Sequence, residues 1–178
     1  MERELQILLA GFGGQGVLFA GKCIAYAGLM DGREVSWLPS YGPEMRGGTA
    51  NCSVTLSDEP IGSPLVTAPN VLIALNQPSY DKFVDEVVPG GIIIADTSMI
   101  ADMRLRDDVE CYGVPATALA EDNGLTKGAN IVLLGKFFEV TKFCDWDTLM
   151  EGLRHCIPAS RAHLLDNNIK AIKLGMEA

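Results

Sequence analysis

The chain has 178 residues, of which 48% are hydrophobic and 21% are charged, a composition typical of a globular protein with one well-buried core. Its formal net charge is -9, and it has no stripe of clustered Lys and Arg, so nucleic acid is not an expected partner. A small phosphate-bearing ligand is compatible with this charge, because backbone N–H groups at a helix N-terminus bind an anion locally.

The start of the chain and its apolar segments predict a cytoplasmic protein. Met1 is followed by the charged residues Glu2, Arg3 and Glu4 and then by a short apolar run. A secretory signal begins with basic residues and has a longer apolar region. No run approaches the ~20 apolar residues that a membrane span requires.

The cysteines argue against a metal or iron–sulfur centre. There are five of them, widely separated in the sequence: Cys23, Cys52, Cys111, Cys144 and Cys156. Iron–sulfur clusters and structural zinc need closely spaced cysteines, or histidines near cysteines. We therefore expect buried free thiols in a reducing compartment, and no metal site on this chain.

The first third of the chain alternates between strand and helix patterns. Residues 5–10 form a short apolar run typical of a buried strand, and Gly11 ends it. A glycine-rich turn leads into apolar residues at helical spacing over 17–30. Residues 34–38 predict a second strand, and the proline- and glycine-rich residues 39–48 predict a loop.

The middle of the chain continues this alternation. Residues 49–56 carry β-branched residues in partial alternation and predict a strand, whereas residues 58–69 hold three prolines and predict irregular structure. Residues 71–75 predict a short apolar strand, and residues 78–87 a helix with Pro78 near its start. Residues 92–96 form the most strand-like run of the sequence.

The last part of the chain becomes helical. A weaker strand is predicted at 109–114 and a helix from about Pro115, followed by helices at 129–141, 145–156 and 160–175. Strands that alternate with helices favour a largely parallel sheet covered on both faces. The predicted fold is a single Rossmann-like α/β domain over residues 1–178.

Residues 11–16, Gly-Phe-Gly-Gly-Gln-Gly, match the pattern G-x-G-x-x-G between a predicted strand and a predicted helix. Side-chain-free residues let the backbone approach a phosphate, and the N–H groups of the first helical turn bind it. The glycines also suit a tight turn with close helix–sheet packing. A dinucleotide site needs an acidic residue at the end of the second strand, and Asp31 and Glu34 lie before that strand or at its start.

Residues 39–48, Pro-Ser-Tyr-Gly-Pro-Glu-Met-Arg-Gly-Gly, form the most unusual segment. They follow the carboxyl end of the second predicted strand, the edge at which open α/β sheets bind ligands. The segment combines Tyr41, Glu44 and Arg46, and the planar guanidinium suits a carboxylate or a phosphate. The alternative is a proline-kinked connection with solvated charges.

These two segments together resemble the gamma subunits of 2-oxoacid:ferredoxin oxidoreductases, most of all those of the 2-oxoglutarate and branched-chain 2-oxoacid types. The similarity continues through Thr49–Val54 and Asn76-Gln77-Pro78. Pyruvate enzymes belong to the same group. The related indolepyruvate enzymes usually lack the Tyr-Gly-Pro-Glu portion that this chain has at 41–44.

The resemblance implies an enzyme that converts a 2-oxoacid and coenzyme A into acyl-CoA and CO2 and reduces ferredoxin. It implies thiamine diphosphate between alpha and beta subunits, iron–sulfur clusters on beta or delta subunits, and no catalytic residue on this chain. The gamma subunit is then associated with coenzyme A. The residues expected to contact it are Gly11, Gly13, Gly14, Gln15, Gly16, Ser40, Tyr41, Glu44 and Arg46.

Other functions and candidates remain open at this stage. The chain can be an independent nucleotide-binding oxidoreductase, or a structural subunit whose loops only pack and dock. Residues 96–98 (Asp-Thr-Ser) follow the strongest strand and suit either the same crevice or a helix cap. Residues 127–130 (Lys-Gly-Ala-Asn) suit a ligand contact or, preferably, a helix start. His155 and His163 are expected on helix surfaces.

Overall fold

The computed structural model describes residues 4–40, 49–104 and 106–178 of the chain, and within them it contains one six-stranded sheet. The strands are β1 (Leu5–Phe12), β2 (Glu34–Ser40), β3 (Thr49–Ser57), β4 (Val71–Ala74), β5 (Ile92–Asp96) and β6 (Glu110–Val114). The α-helices are α1 (Val17–Met30), α2 (Gln77–Phe83), α3 (Ala116–Asp122), α4 (Ala129–Thr141), α5 (Trp146–Cys156) and α6 (Leu165–Glu177).

The sheet has the order β2-β3-β1-β4-β5-β6 and is largely parallel, as predicted. Strands β1, β4, β5 and β6 pair in parallel, whereas β3 runs antiparallel to both of its neighbours, β1 and β2. The β2–β3 connection explains this exception. It spans only residues 41–48, and a parallel pair needs a crossover of about a dozen residues or more. Because β1 and β2 both oppose β3, their carboxyl ends lie at the same edge of the sheet.

Both faces of the sheet are covered, but unequally. Along β1, Ile7 and Leu9 join a large core formed with α1, α4, α5 and α6. Leu8 and Ala10 point to the opposite face and join a smaller core formed with α2. This alternation follows from the two-residue period of a strand. Within the described residues, no helix is both long and apolar enough to span a membrane.

Glycines bring the helices of the thick layer into backbone contact. A Cβ on Gly135 of α4 would collide with the backbone of Ile172 in α6, and one on Gly175 of α6 would collide with the backbone of Val132 in α4. A Cβ on Gly152 of α5 would lie 2.6 Å from the nitrogen of Ala27 in α1. These close approaches depend on the absence of a side chain.

Four predicted elements have bounds that differ from the observed ones by two residues or more. Strand β2 runs through Pro39 to Ser40, where a loop was predicted, because both residues pair with β3. Strand β1 continues through Gly11 to Phe12, because β3 pairs with it over its whole length. Helix α2 ends at Phe83, and a single 3-10 turn follows at Val84–Glu86. The predicted final helix is divided, because Arg161 leaves the helical region (φ -121°, ψ 21°). Residues Ala159–Leu164 therefore form a 3-10 segment before α6.

Candidate functional site

The glycine loop, residues 11–16, connects β1 to α1 and bends through two left-handed residues. Gly14 has φ 92° and Gly16 has φ 75°, conformations that L side chains rarely adopt. The Gln15 N–H donates to the Phe12 carbonyl at 3.2 Å and closes the turn. Backbone geometry therefore explains two of the four glycines.

The other two glycines differ in what surrounds them. A Cβ on Gly11 would lie 2.8 Å from Gln15 Oε1 and 2.9 Å from Val17, so this glycine is required by packing. A Cβ on Gly13 would meet no atom of the described residues within 4 Å, and its φ is not positive. Neither packing nor backbone strain within the described chain accounts for glycine at position 13.

The Gln15 side chain holds the glycine loop to the end of β4. Its Oε1 accepts hydrogen bonds from Phe12 N (2.6 Å) and from Asn76 Nδ2 (2.9 Å), and its Nε2 donates to the Leu75 carbonyl (3.1 Å). Asn76 is 1% exposed and also caps α2, since its Oδ1 accepts from Ser79 N at 2.9 Å. The amide of Gln15 is thus engaged within the protein, and its predicted contact with a ligand remains a proposal.

Two helix N-termini meet at the glycine loop. Asn130, in the first turn of α4, donates from Nδ2 to the Gly16 carbonyl at 3.0 Å. Glycines occupy both N-cap positions, Gly16 for α1 and Gly128 for α4, and within the described residues no side chain caps either helix. Helix N-termini carry N–H groups without intrahelical partners and a partial positive charge. The junction is therefore suited to an anion.

A crevice of about 600 Å³ opens beside this junction. It lies at the carboxyl edge of the parallel strands, as expected for a ligand site in an open α/β sheet. Lys127 supplies a positive charge to its wall and has a left-handed backbone (φ 60°). The lining residues from the loops and helices are Gly14, Gln15, Leu75, Met99, Thr117, Ala120, Glu121, Gly124, Thr126, Lys127, Gly128 and Ala129.

The segment 127–130 contains the helix start that the sequence favoured, and its predicted contact with a ligand remains a proposal. Helix α4 begins at Ala129, and Lys127 and Gly128 line the crevice. The sequence analysis did not identify Met99, which follows β5, or Thr117 and Glu121, which lie in α3. No local motif marks such residues, since only the packing of α3 against the end of β5 brings them here.

Asp96 is a cap and does not line the crevice. Its side chain is fully buried, and its Oδ1 accepts from Ser98 N (3.0 Å) and from Thr117 N (3.3 Å). Its Oδ2 accepts from Thr117 Oγ1 at 2.6 Å. The carboxylate thereby orders the start of α3, which forms one wall of the crevice.

The second predicted segment begins at the same sheet edge. Ser40 ends β2 opposite Asn51, which also pairs with Ala10 of β1. Ser40 and Asn51 line a separate cavity of about 400 Å³ on the α2 side of the sheet. Tyr41, Glu44 and Arg46 lie outside the described residues, so their predicted contacts with a ligand remain proposals.

All five cysteines are free thiols, and four of them are buried. Burial raises the pKa of Cys52 to about 12 and that of Cys144 to about 12. Such thiols stay protonated at neutral pH and are poor nucleophiles. Within the described residues, no three His, Cys, Asp or Glu side chains are close enough together to hold a metal ion.

Comparison with known proteins identifies relatives that match almost the whole chain. The profile of the family described as "Pyruvate ferredoxin/flavodoxin oxidoreductase" matches residues 6–178. Ketoisovalerate oxidoreductase subunit VorA of Methanothermobacter marburgensis is 39% identical over 176 residues, which are 98% of this chain and 36% of VorA. 2-Oxoglutarate synthase subunit KorC of Methanocaldococcus jannaschii is 35% identical over 97% of this chain and 92% of its own length.

Solved structures give the same answer for the fold. The gamma subunit of a keto/oxoacid ferredoxin oxidoreductase from Geobacter sulfurreducens superposes with a TM-score of 0.82 at 27% identity, covering 97% of this chain and 96% of that one. 2-Oxoglutarate:ferredoxin oxidoreductase from Magnetococcus marinus superposes with a TM-score of 0.87 at 26% identity. That match covers 99% of this chain and 31% of the longer one.

This chain spans about a third of the length of VorA and nearly the whole length of KorC. The resemblance that the glycine loop and residues 39–48 indicated is therefore confirmed over the full chain. The chain belongs to the pyruvate ferredoxin/flavodoxin oxidoreductase family, and its fold is that of the gamma subunits of 2-oxoacid:ferredoxin oxidoreductases.

Proposed function

We propose that this chain is the gamma subunit of a cytoplasmic, multi-subunit enzyme that oxidatively decarboxylates a 2-oxoacid with coenzyme A. The products are acyl-CoA and CO2, and the electrons pass to ferredoxin. In this proposal the chain binds coenzyme A at the crevice and helps assembly, while thiamine diphosphate and iron–sulfur clusters reside on alpha, beta and delta partners.

The observation that carries this proposal is the free space at Gly13. Gly11 is explained by packing, and Gly14 and Gly16 by positive φ angles, so within the glycine loop only position 13 has a glycine that the described chain does not need. A glycine that neither packing nor backbone conformation requires suits close approach of a ligand to the backbone. The pyrophosphate of coenzyme A is such a ligand.

Charge at the same place supports an anionic ligand. The N-termini of α1 and α4 meet where Asn130 bonds Gly16, and the exposed Lys127 side chain lies at the crevice wall. These groups offset locally the net charge of -9 on the whole chain. Glu121 lines the same crevice, so its carboxylate balances the Lys127 ammonium. The backbone N–H groups therefore provide the attraction for an anionic ligand.

The named relatives support the proposed partner subunits and the proposed class of substrate. The Magnetococcus marinus enzyme was solved with 2-oxoglutarate, coenzyme A and succinyl-CoA bound. VorA and that enzyme's chain are about three times as long as this one, so in them the matching segment is covalently joined to further parts of the protein.

Two other functions were open from the sequence. An independent nucleotide-binding reductase loses support, because Glu34 begins β2 at the sheet edge opposite the crevice, and Asp31 pairs with Arg33 at 3.5 Å. A purely structural subunit is the stronger competitor, because loops at one sheet edge serve docking as well as binding.

The assembled enzyme distinguishes coenzyme A binding from docking. The Gly13→Val variant should fold normally, since its space is open, but its branched side chain should block a phosphate. The loss of one charge-assisted hydrogen bond costs about 1.5–3 kcal/mol, which raises the apparent Michaelis constant for coenzyme A tenfold or more. The apparent Michaelis constant for the 2-oxoacid should change little.

Gly62→Val is the matched control, because Gly62 also has open space and no positive φ, and it lies outside the crevice. Both variants are co-expressed with alpha and beta partners, and size-exclusion chromatography establishes assembly before kinetics. A Gly13→Val complex that assembles and keeps the wild-type coenzyme A constant would contradict the binding role and favour the structural subunit. Lys127→Gln and Arg46→Ala extend the same assay to the two positively charged side chains that are proposed to contact coenzyme A.

A further inference from the structure

Two cysteines of the thick helical layer lie across the interface between α1 and α5. Cys23 is in the middle of α1, and Cys156 is the last residue of α5. One helical turn from Cys23, the Tyr26 ring stacks on the ring of His155, the residue before Cys156, with centroids 5.7 Å apart and planes at 5°. The absence of a side chain at Gly152 lets the two helices approach closely.

The two thiols differ in their access to solvent. Cys156 is 8% exposed and lines an open cavity of about 430 Å³ between α1, α4, α5 and α6. Cys23 is fully buried behind it. A small reagent that enters the cavity therefore reaches Cys156 first, and Phe19 and Arg161 line the same space.

The surroundings make Cys156 the more acidic of the two thiols. A hydrogen bond from the Cys23 thiol lowers the pKa of Cys156, burial opposes this effect, and the Lys22 ammonium adds to it. The same hydrogen bond, together with burial, raises the pKa of Cys23. The Lys22 ammonium lies 5.7 Å from the centroid of the Tyr26 ring, the ring that stacks on His155. The carbonyls at the end of α5 act against a thiolate, and Lys22 and the Cys23 thiol offset them.

We propose that Cys156 is an oxidant-sensitive thiol and that Cys23 is its resolving partner. The Cys156 thiolate attacks a peroxide, the O–O bond breaks, and Cys156 becomes a sulfenic acid as hydroxide leaves. The Cys23 thiol then attacks the Cys156 sulfur, a disulfide forms and water leaves. Two thiols lose two electrons, and one peroxide gains them.

The disulfide would join α1 covalently to α5 next to the proposed ligand site. The cavity at Cys156 and the crevice share residues 126–128, and the first turn of α1 follows directly from the glycine loop. Oxidation of this pair does not depend on the proposed role in coenzyme A binding, and its test needs no enzyme assay.

Peptide mapping of the full chain tests the proposal. The reduced protein is treated with one molar equivalent of hydrogen peroxide, alkylated in denaturant and digested with trypsin. Free thiols should fall from five to three, and a disulfide should join peptides 23–33 and 155–161. Recovery of all five thiols would overturn the proposal, as would a crosslink that involves Cys52, Cys111 or Cys144.

Variants separate the two roles. In Cys23→Ser, the sulfenic acid at Cys156 should persist and be trapped by dimedone. In Cys156→Ser, Cys23 should stay reduced under the same treatment, and its oxidation at the wild-type rate would refute the assigned order. Cys144→Ser is the matched control, because burial raises the pKa of that thiol to about 12, and it should form the disulfide as the wild type does.

Discussion

At the scale of single residues, the glycine loop shows that one motif has several physical causes. Gly11 avoids a collision with Val17, Gly14 and Gly16 hold left-handed backbone, and Gly13 leaves open space. A sequence pattern cannot separate these causes, since all four residues are identical in it. The structure assigns each one, and only Gly13 is left for a ligand to explain.

Gln15 gives a test of the loop at this scale. In Gln15→Leu the Phe12 N–H, the Asn76 amide and the Leu75 carbonyl each lose a partner in a partly buried place. We expect the free energy of unfolding to fall by about 2–4 kcal/mol, since an unsatisfied buried polar group costs about 1–3 kcal/mol. Urea unfolding of the isolated chain measures the change.

Gln77→Leu is the control for this prediction. Gln77 makes a similar number of hydrogen bonds, to Asp81 and to the backbone of Asp102, but they are exposed and water can replace them. Its loss should change the free energy of unfolding by less than about 1 kcal/mol. Equal effects of the two variants would show that Gln15 does not hold the loop.

At the scale of elements, the positions of helices α1, α4, α5 and α6 follow from how closely their backbones approach. Gly135 and Gly175 form reciprocal contacts between α4 and α6, each against a backbone carbonyl of the other helix. Helical periodicity identified these helices but carried no information about their partners. The position of α4 matters for function, because its N-terminus and Lys127 frame the crevice.

Gly135→Ala tests this packing. Alanine favours an isolated helix over glycine by about 1 kcal/mol, so propensity predicts a more stable protein. The added methyl would collide with the Ile172 carbonyl in α6, and overpacking costs about 1–3 kcal/mol. We expect net destabilisation and a lower Tm, measured by thermal unfolding.

Gly62→Ala is the comparison for Gly135→Ala, because its new methyl meets no atom within 4 Å in the part of the chain that the structure describes. It should leave stability unchanged or raise it by up to about 1 kcal/mol. If Gly135→Ala behaves like Gly62→Ala, α4 and α6 do not make the backbone contact.

At the scale of the whole molecule, the candidate ligand site lies at one edge of the sheet, and the described residues contain no cluster of metal ligands. The carboxyl ends of β1, β2, β4 and β5 share that edge, so the glycine loop, Ser40 at the end of β2 and the crevice all lie there. Under the proposed function, this edge would bind coenzyme A while partner subunits carry the redox chemistry.

Metal analysis of the purified chain tests the proposal that the redox cofactors reside on partner subunits. We expect a colourless protein without stoichiometric iron, zinc or flavin, and no oxidation of any 2-oxoacid by the chain alone. Co-expression with alpha and beta partners should give coenzyme A-dependent reduction of ferredoxin or a viologen. About one metal per chain after purification, or turnover without partners, would place chemistry on this subunit.

The sequence by itself determined the class of fold, the family and the position of the glycine loop. Strand and helix periods, the turn residues and two local motifs contain this information, and helix α4 was predicted at its observed bounds, Ala129–Thr141. Tertiary structure alone decided that β3 runs antiparallel, that Asn130 donates a hydrogen bond to the Gly16 carbonyl and that Thr117 and Lys127 line the same crevice. These are contacts between residues distant in sequence, and they depend on how elements pack, which no local period or propensity encodes.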